Sequence, residues 1–233
     1  MKFKTLFSLL FALLFLLCCK KDTLPVFSNS SLTVVNASFE NPIFAVTISD
    51  TLIPFYRNQS QIYYQSFGEY GYSSGNFPLI IVSASDTTKP LFKANFNLVE
   101  QGIYSLFLAG NSKSLDTVFV QEHFTNYDDS LAGVRFINLA TGSGPISVNL
   151  MGNDPVQKEF SDLGYKQISA FKTYSTSGGI YSYDFEIRDQ VSGDLLTTFT
   201  WYFTNFKNQT LVISGASDPA IGSPISVFQV NNF

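Results

Sequence analysis

Residues 181–188 read Tyr-Ser-Tyr-Asp-Phe-Glu-Ile-Arg, and from Tyr183 onward apolar and charged residues strictly alternate. In an extended chain Tyr181, Tyr183, Phe185 and Ile187 share one face, and Asp184, Glu186 and Arg188 the other. A period of two is a half-buried β-strand, because a helix would scatter these residues around its axis. Leu32–Asn36, Phe44–Ile48 and Leu106–Leu108 are further short β-like runs. Turn signals separate the runs at 71–75, 86–90, 142–145, 178–179, 192–193 and 222–224. Beyond the first residues, no segment keeps a 3.6-residue period. The chain is therefore expected to be all-β, with strands spaced as in antiparallel β-sandwiches.

The runs recur. At an offset of about 102 residues, Leu32–Asn36 lies over Val134–Asn138, and Phe44, Val46 and Ile48 over Ile146, Val148 and Leu150. Slightly larger offsets lay Phe77, Leu79 and Ile81 over Tyr181, Tyr183 and Phe185, and Leu106–Gly110 over Leu211–Gly215. The order is kept. The expected organisation is a leader over 1–18, a tether over 19–30 and a first sandwich repeat over 31–121. A linker over 122–132 and a second repeat over 133–233 follow. A single large sandwich with similar strands is the alternative.

The leader explains part of the 45% hydrophobic content. Lys2 and Lys4 precede Leu6–Leu17, which is apolar except for Ser8. That run is too short to span a bilayer core, which takes ~20 residues, but it suits the h-region of an export signal. Cys18 and Cys19 follow, then Lys20, Lys21 and Asp22. This looks like a bacterial lipoprotein signal. Cleavage before Cys19 puts small Cys18 at the position preceding the cut, whereas cleavage before Cys18 puts bulky Leu17 there. Cys19 is therefore the expected lipidated residue, with Cys18 the alternative. Removing the leader removes Lys2 and Lys4, so the mature chain is more acidic than the full-length charge of -4. Attachment is expected from lipid alone, at the outer membrane of a Gram-negative cell envelope, on either face.

Gly133-Val-Arg-Phe-Ile-Asn-Leu-Ala, then Gly144-Pro-Ile-Ser-Val-Asn-Leu, with Tyr104-Ser-Leu-Phe-Leu-Ala-Gly110 closing the first repeat, resembles the family called domain of unknown function 4397. The resemblance covers most of residues 31–230. It departs at Glu40-Asn41-Pro42, where the family has a small-residue turn. It implies two tandem immunoglobulin-like sandwiches behind a lipoprotein signal, and it implies no activity.

The residues argue against several kinds of chemistry. The acidic balance lacks the basic face of a nucleic-acid binder. Two adjacent cysteines cannot staple a fold, and one histidine, His123, cannot build a His-rich metal site. His123 lies in the linker beside Glu122, without a Gly-x-Ser-x-Gly elbow or a free cysteine elsewhere. Phosphate and dinucleotide loops are missing, and so is an acidic calcium loop. Asp184 and Glu186 point outward from their strand and read as a solvated face; as paired carboxylates they would support a hydrolase. The expectation is a non-enzyme without cofactor or metal.

Two features hint at recognition. Residues 56–77 concentrate Tyr56, Tyr63, Tyr64, Phe67, Tyr70, Tyr72 and Phe77 among glycines. Rigid tyrosines beside small polar residues suit ligand contact at low entropic cost. Tyr56, Tyr63, Tyr64, Tyr70 and Tyr72 are the candidate contacts for a glycan or an envelope protein; a twisted hairpin with half-buried tyrosines is the plainer reading. The triplet Asp-(Ser/Thr)-aliphatic or Thr also occurs five times, where about 0.8 is expected by chance. It looks like an O-glycosylation sequon, with acceptors Thr23, Thr51, Thr87, Thr117 and Ser130. Ordinary Asp-Ser/Thr turn chemistry is the alternative. The sequence thus points to a lipid-anchored binding or adhesion module, with a structural spacer as second reading and an envelope hydrolase as third.

Overall fold

A computed structural model describes residues 29–49, 51, 60–111, 115–128, 130–221 and 223–232. The leader, the tether, Cys18, Cys19, Thr23 and Tyr56 lie outside these. The first eight strands are β1 (Asn29–Asn36), β2 (Ile43–Thr47), β3 (Ser60–Tyr63), β4 (Ser66–Ser73), β5 (Gly75–Ser83), β6 (Asp86–Leu98), β7 (Ile103–Gly110) and β8 (Leu115–Gln121). The next eight are β9 (Leu131–Asn138), β10 (Ile146–Leu150), β11 (Lys158–Leu163), β12 (Lys172–Ser175), β13 (Tyr183–Asp189), β14 (Leu195–Trp201), β15 (Asn208–Ser214) and β16 (Ser226–Asn231).

Four sheets form, with orders β4-β1-β7-β8, β3-β2-β5-β6, β12-β9-β15-β16 and β11-β10-β13-β14. Adding eight to each label in the first two gives the last two. The chain is an all-β protein of two successive sandwiches. Each contains one parallel pair, β1 with β7 and β9 with β15; the other pairings are antiparallel. In the seven-stranded immunoglobulin order the first two strands share a sheet. Here β1 and β2 lie in opposite sheets.

The ladders refine the overlay of the two halves. Val34 pairs with Leu106, and Phe136 with Leu211, matching the sequence overlay at those strands. Val46 pairs with Ile81, and Val148 with Ile187. Ile187, rather than Phe185, therefore takes the place of Ile81. A two-residue slip returns every side chain to the same face, so alternation alone could not detect it.

Each sandwich closes on its own core. Leu32, Val34, Phe44, Ile62, Phe77, Leu79, Leu106 and Leu108 fill the first. Val134, Phe136, Val148, Phe185, Ile187, Leu211, Ile213 and Trp201 fill the second. The buried indole keeps its hydrogen bond: Trp201 Nε1 donates to Gln209 Oε1 at 2.8 Å. A buried asparagine ends the first strand of each sandwich. Asn36 Nδ2 donates to Asn41 O and Ile62 O, and its Oδ1 accepts from Ser38 N. Asn138 Nδ2 donates to Leu163 O, and its Oδ1 accepts from Ala140 N. Both amides satisfy loop backbone that would otherwise be buried unpaired.

A third core joins the two sandwiches. Val35, Ala37, Phe107 and Ala109 pack with Ile137, Leu139, Val212, Phe228 and Val230. These residues alternate along the chain with those of the inner cores: Val34 faces one side of β1 and Val35 the other. Strands β1, β7, β9 and β15 are therefore buried on both faces, which is why apolar residues follow one another at Val34-Val35, Leu106–Ala109, Phe136-Ile137 and Leu211–Ile213. Polar contacts ring this interface. Tyr64 Oη lies 3.3 Å from Ser214 Oγ and from Ser223 Oγ, and Gln65 Nε2 donates to Ser226 Oγ at 2.6 Å. Tyr165 Oη and Lys166 Nζ both donate to Asp116 at 3.0 Å.

The segment after β8 docks along the second sandwich. Glu122 is buried and pairs with Arg135 of β9. Asn208 Nδ2 donates to Thr125 O. Tyr127 covers Gly133, where an added Cβ would come within 2.4 Å of its hydroxyl.

Candidate functional site

The four candidate tyrosines among the described residues, Tyr63, Tyr64, Tyr70 and Tyr72, do not form one platform. Tyr63 ends edge strand β3 with 57% of its surface exposed. Tyr64 and Gln65 form the following turn and are engaged at the interface between the sandwiches. Tyr70 packs against the first core, and burial raises the pKa of its phenol. Tyr72 stands edge-on to Phe77, ring centroids 4.8 Å apart. Six residue steps along β4 lead from Ser66 to Tyr72, about 20 Å at 3.3 Å per residue. Tyr63 and Tyr72 thus stand near opposite ends of the strand.

The sequon hydroxyls also differ. Thr51 is exposed, with Oγ1 3.4 Å from Ser49 Oγ. Thr87 is half-buried on β6, and its neighbour Asp86 accepts from the Thr88 hydroxyl and backbone, which lowers the Asp86 pKa. Thr117 is half-buried on β8, with Asp116 held by Tyr165 and Lys166. Ser130 Oγ donates to Asp128 Oδ1 at 2.8 Å.

The carboxylates weighed as a hydrolase pair have local partners. Asp184 accepts from Thr200 Oγ1 at 2.6 Å, and Glu186 pairs with Arg188. His123 is exposed. Among the described residues no group of three or more His, Cys, Asp or Glu could hold a metal ion. No described helix is long and apolar enough to cross a membrane.

A different set of exposed apolar side chains lies at one end of the second sandwich. Ile180 and Tyr181 lie in the loop before β13, and Tyr202 and Phe206 in the segment after β14. Their exposures are 38%, 80%, 68% and 53%. Tyr183 pairs with Trp201, so the two loops leave the ends of one hairpin side by side. Beneath them Tyr174, Tyr183, Trp201 and Phe203 form a ring cluster with centroid spacings of 4.9–5.9 Å. Gly178 and Gly179 both take positive φ, which glycine adopts without steric cost, and lead into Ile180 and Tyr181. Phe206 has φ 66°, a left-handed conformation unusual for a bulky residue. Its N–H donates to Leu131 O at 3.0 Å. A sequence signal for this rim exists in Trp201-Tyr202-Phe203. Successive side chains of an extended chain point to opposite faces, so Tyr202 must leave the face shared by its neighbours.

Two tyrosine pKa values are shifted strongly. Burial first, then the Glu159 carboxylate that accepts its hydrogen bond, raise Tyr174 far above its ordinary value. Burial and Asp116 push Tyr165 up to about 12. A phenol raised above its unfolded value of 10.0 stabilises the fold fully below that value and loses this contribution as pH rises through about 12. The melting-temperature advantage of wild type over Tyr165→Phe should hold constant to pH 10 and vanish by about pH 12. An advantage that persists at pH 12 would contradict the assignment.

At their junction the sandwiches border an open cleft of about 290 Å³, lined by Glu69 of β4, Thr204, Lys207, Asn231 and Asn232.

No protein-family model matches the chain, and no curated protein matches it in sequence. Solved structures show distant likeness. The C-terminal domain of AlgF from P. aeruginosa is 16% identical with a TM-score of 0.31, over 41% of this chain and 99% of that one. The family CBM26 module of Eubacterium rectale Amy13K, solved in complex with maltoheptaose, is 11% identical with a TM-score of 0.26, over 87% and 97%. At these scores the likeness says nothing about function.

Proposed function

We propose that this chain is a non-catalytic, lipid-anchored protein of the bacterial cell envelope that binds a partner through the rim at the end of its second sandwich. The observation that carries the reading is that Ile180, Tyr181, Tyr202 and Phe206 are all exposed on the two loops that leave the same end of the β13–β14 pair. Single exposed apolar residues are ordinary, whereas a group with two largely exposed tyrosines marks an interaction surface. Loops held by a rigid scaffold are the usual place for such surfaces. The rim replaces residues 56–77 as the centre of the binding reading, because Tyr64 and Tyr70 have structural roles.

The Tyr181→Ala/Tyr202→Ala double variant tests this. Its melting temperature should match wild type, since neither ring belongs to a core. Its capture of isolated outer-membrane fragments should weaken at least about tenfold, as truncating an aromatic anchor costs over ~1 kcal/mol each. Unchanged capture would favour the second reading, a rigid spacer. The third core supports that alternative, because it locks the two sandwiches into one body.

A further inference from the structure

We propose that the cleft between the sandwiches binds one neutral sugar residue of a glycan. The inference rests on the binding reading above and adds to it a second site and its ligand class.

The side chains of the cleft are oriented by the protein. Asn231 Oδ1 accepts from Gln209 Nε2 and from Gln229 Nε2, both at 2.7 Å. Asn232, only 7% exposed, accepts at Oδ1 from Thr210 Oγ1 at 2.7 Å. Arg135 Nε in turn donates to Thr210 Oγ1 at 2.9 Å. With both carbonyl oxygens engaged, the Nδ2 hydrogens are the hydrogen-bonding capacity these two lining amides have left. Lys207 adds an ammonium and Thr204 a hydroxyl. Glu69 faces them from the first sandwich as the carboxylate acceptor. Among the described residues neither Glu69 nor Lys207 forms an ion pair.

This inventory selects the ligand by its hydrogen bonds. An anion would meet the donors but also Glu69. A cation would meet Glu69 but waste the amides and face Lys207. A sugar hydroxyl both donates and accepts, so adjacent hydroxyls can donate to Glu69 while accepting from the asparagines and Lys207. The volume lies near the lower bound of ligand pockets, ~300 Å³, which suits one ring. Thr204 and Lys207 belong to the turn that holds exposed Phe206 in its left-handed conformation. Held backbone strain of this kind gathers at binding sites.

Saturation-transfer NMR on the full chain in detergent tests the proposal. The probes are glucose, galactose, mannose, N-acetylglucosamine and maltose, with glucuronate and inorganic phosphate as anions. At least one neutral sugar should receive saturation. Glu69→Gln and Lys207→Ala, both exposed and expected to fold, should each weaken that sugar at least about fivefold, the size of a lost charge-assisted hydrogen bond. Binding of no neutral sugar, or of anions alone, would overturn the assignment. So would a neutral sugar whose affinity both variants leave intact. Capture of membrane fragments without sugar binding would remove the cleft and leave the rim reading standing. Sugar binding without capture would remove the rim and leave the cleft.

Discussion

Arg135→Ala should lower the melting temperature by roughly 6–20 °C. The guanidinium is almost fully buried and lies 2.5 Å from Glu122 Oε1. Its Nε donates to Thr210, and its carbon sits 4.5 Å from the Phe171 ring centroid. Truncation leaves the Glu122 carboxylate inside the protein without its cation, a loss of ~3–5 kcal/mol. In a protein of this size each kcal/mol moves the midpoint by ~2–4 °C. The pair joins the segment leaving β8 to β9, so the damage should fall on the connection between sandwiches. Much of the cost belongs to the lone charge rather than to the bond. A Glu122→Leu/Arg135→Met double variant, apolar on both sides, should therefore recover most of the stability. A single variant within ~1 kcal/mol of wild type, or a double variant no better than Arg135→Ala, would refute this account.

Cys19→Ala should move the protein from the membrane fraction to the soluble fraction and abolish labelling by an alkyne fatty acid. Each buried methylene of an acyl chain contributes ~0.8 kcal/mol, and two or more chains give firm attachment. The Leu6–Leu17 run is shorter than the ~20 residues a membrane span requires. Cys18→Ala should keep both attachment and label. If the label instead disappears only in Cys18→Ala, cleavage falls one residue earlier. Attachment that survives loss of both cysteines would end the lipoprotein reading.

Much of the fold was legible because strand alternation is local. Tyr183, Phe185 and Ile187 announce their inward face in the sequence, and Phe185 and Ile187 are fully buried. The site was less legible. Tyr64 and Tyr63 are neighbours of the same type in the sequence, yet Tyr64 meets Ser214 and Ser223 of the other sandwich and Tyr63 meets solvent. Nothing within a few residues distinguishes them, since the difference comes from a partner about 150 residues away. The cleft is still less visible: Glu69 is an unremarked strand carboxylate until the second sandwich brings Lys207 and Asn232 to face it.

By itself, the sequence determined the strands, the class of fold and the repetition of its pattern, because period two and turn residues act over a few neighbouring positions. The expectation of a lipoprotein leader likewise rests on contiguous residues, Leu6–Leu17 and the paired cysteines after them. Only the tertiary structure decided which apolar residues face inward to each sandwich and which face the other sandwich. Leu106, Phe107 and Leu108 are equally apolar, yet Leu106 and Leu108 enter the first core and Phe107 the shared one. Hydrophobicity states that a side chain must leave water. What covers it depends on contacts distant in sequence, and so did the docking that left one aromatic rim and one polar cleft open.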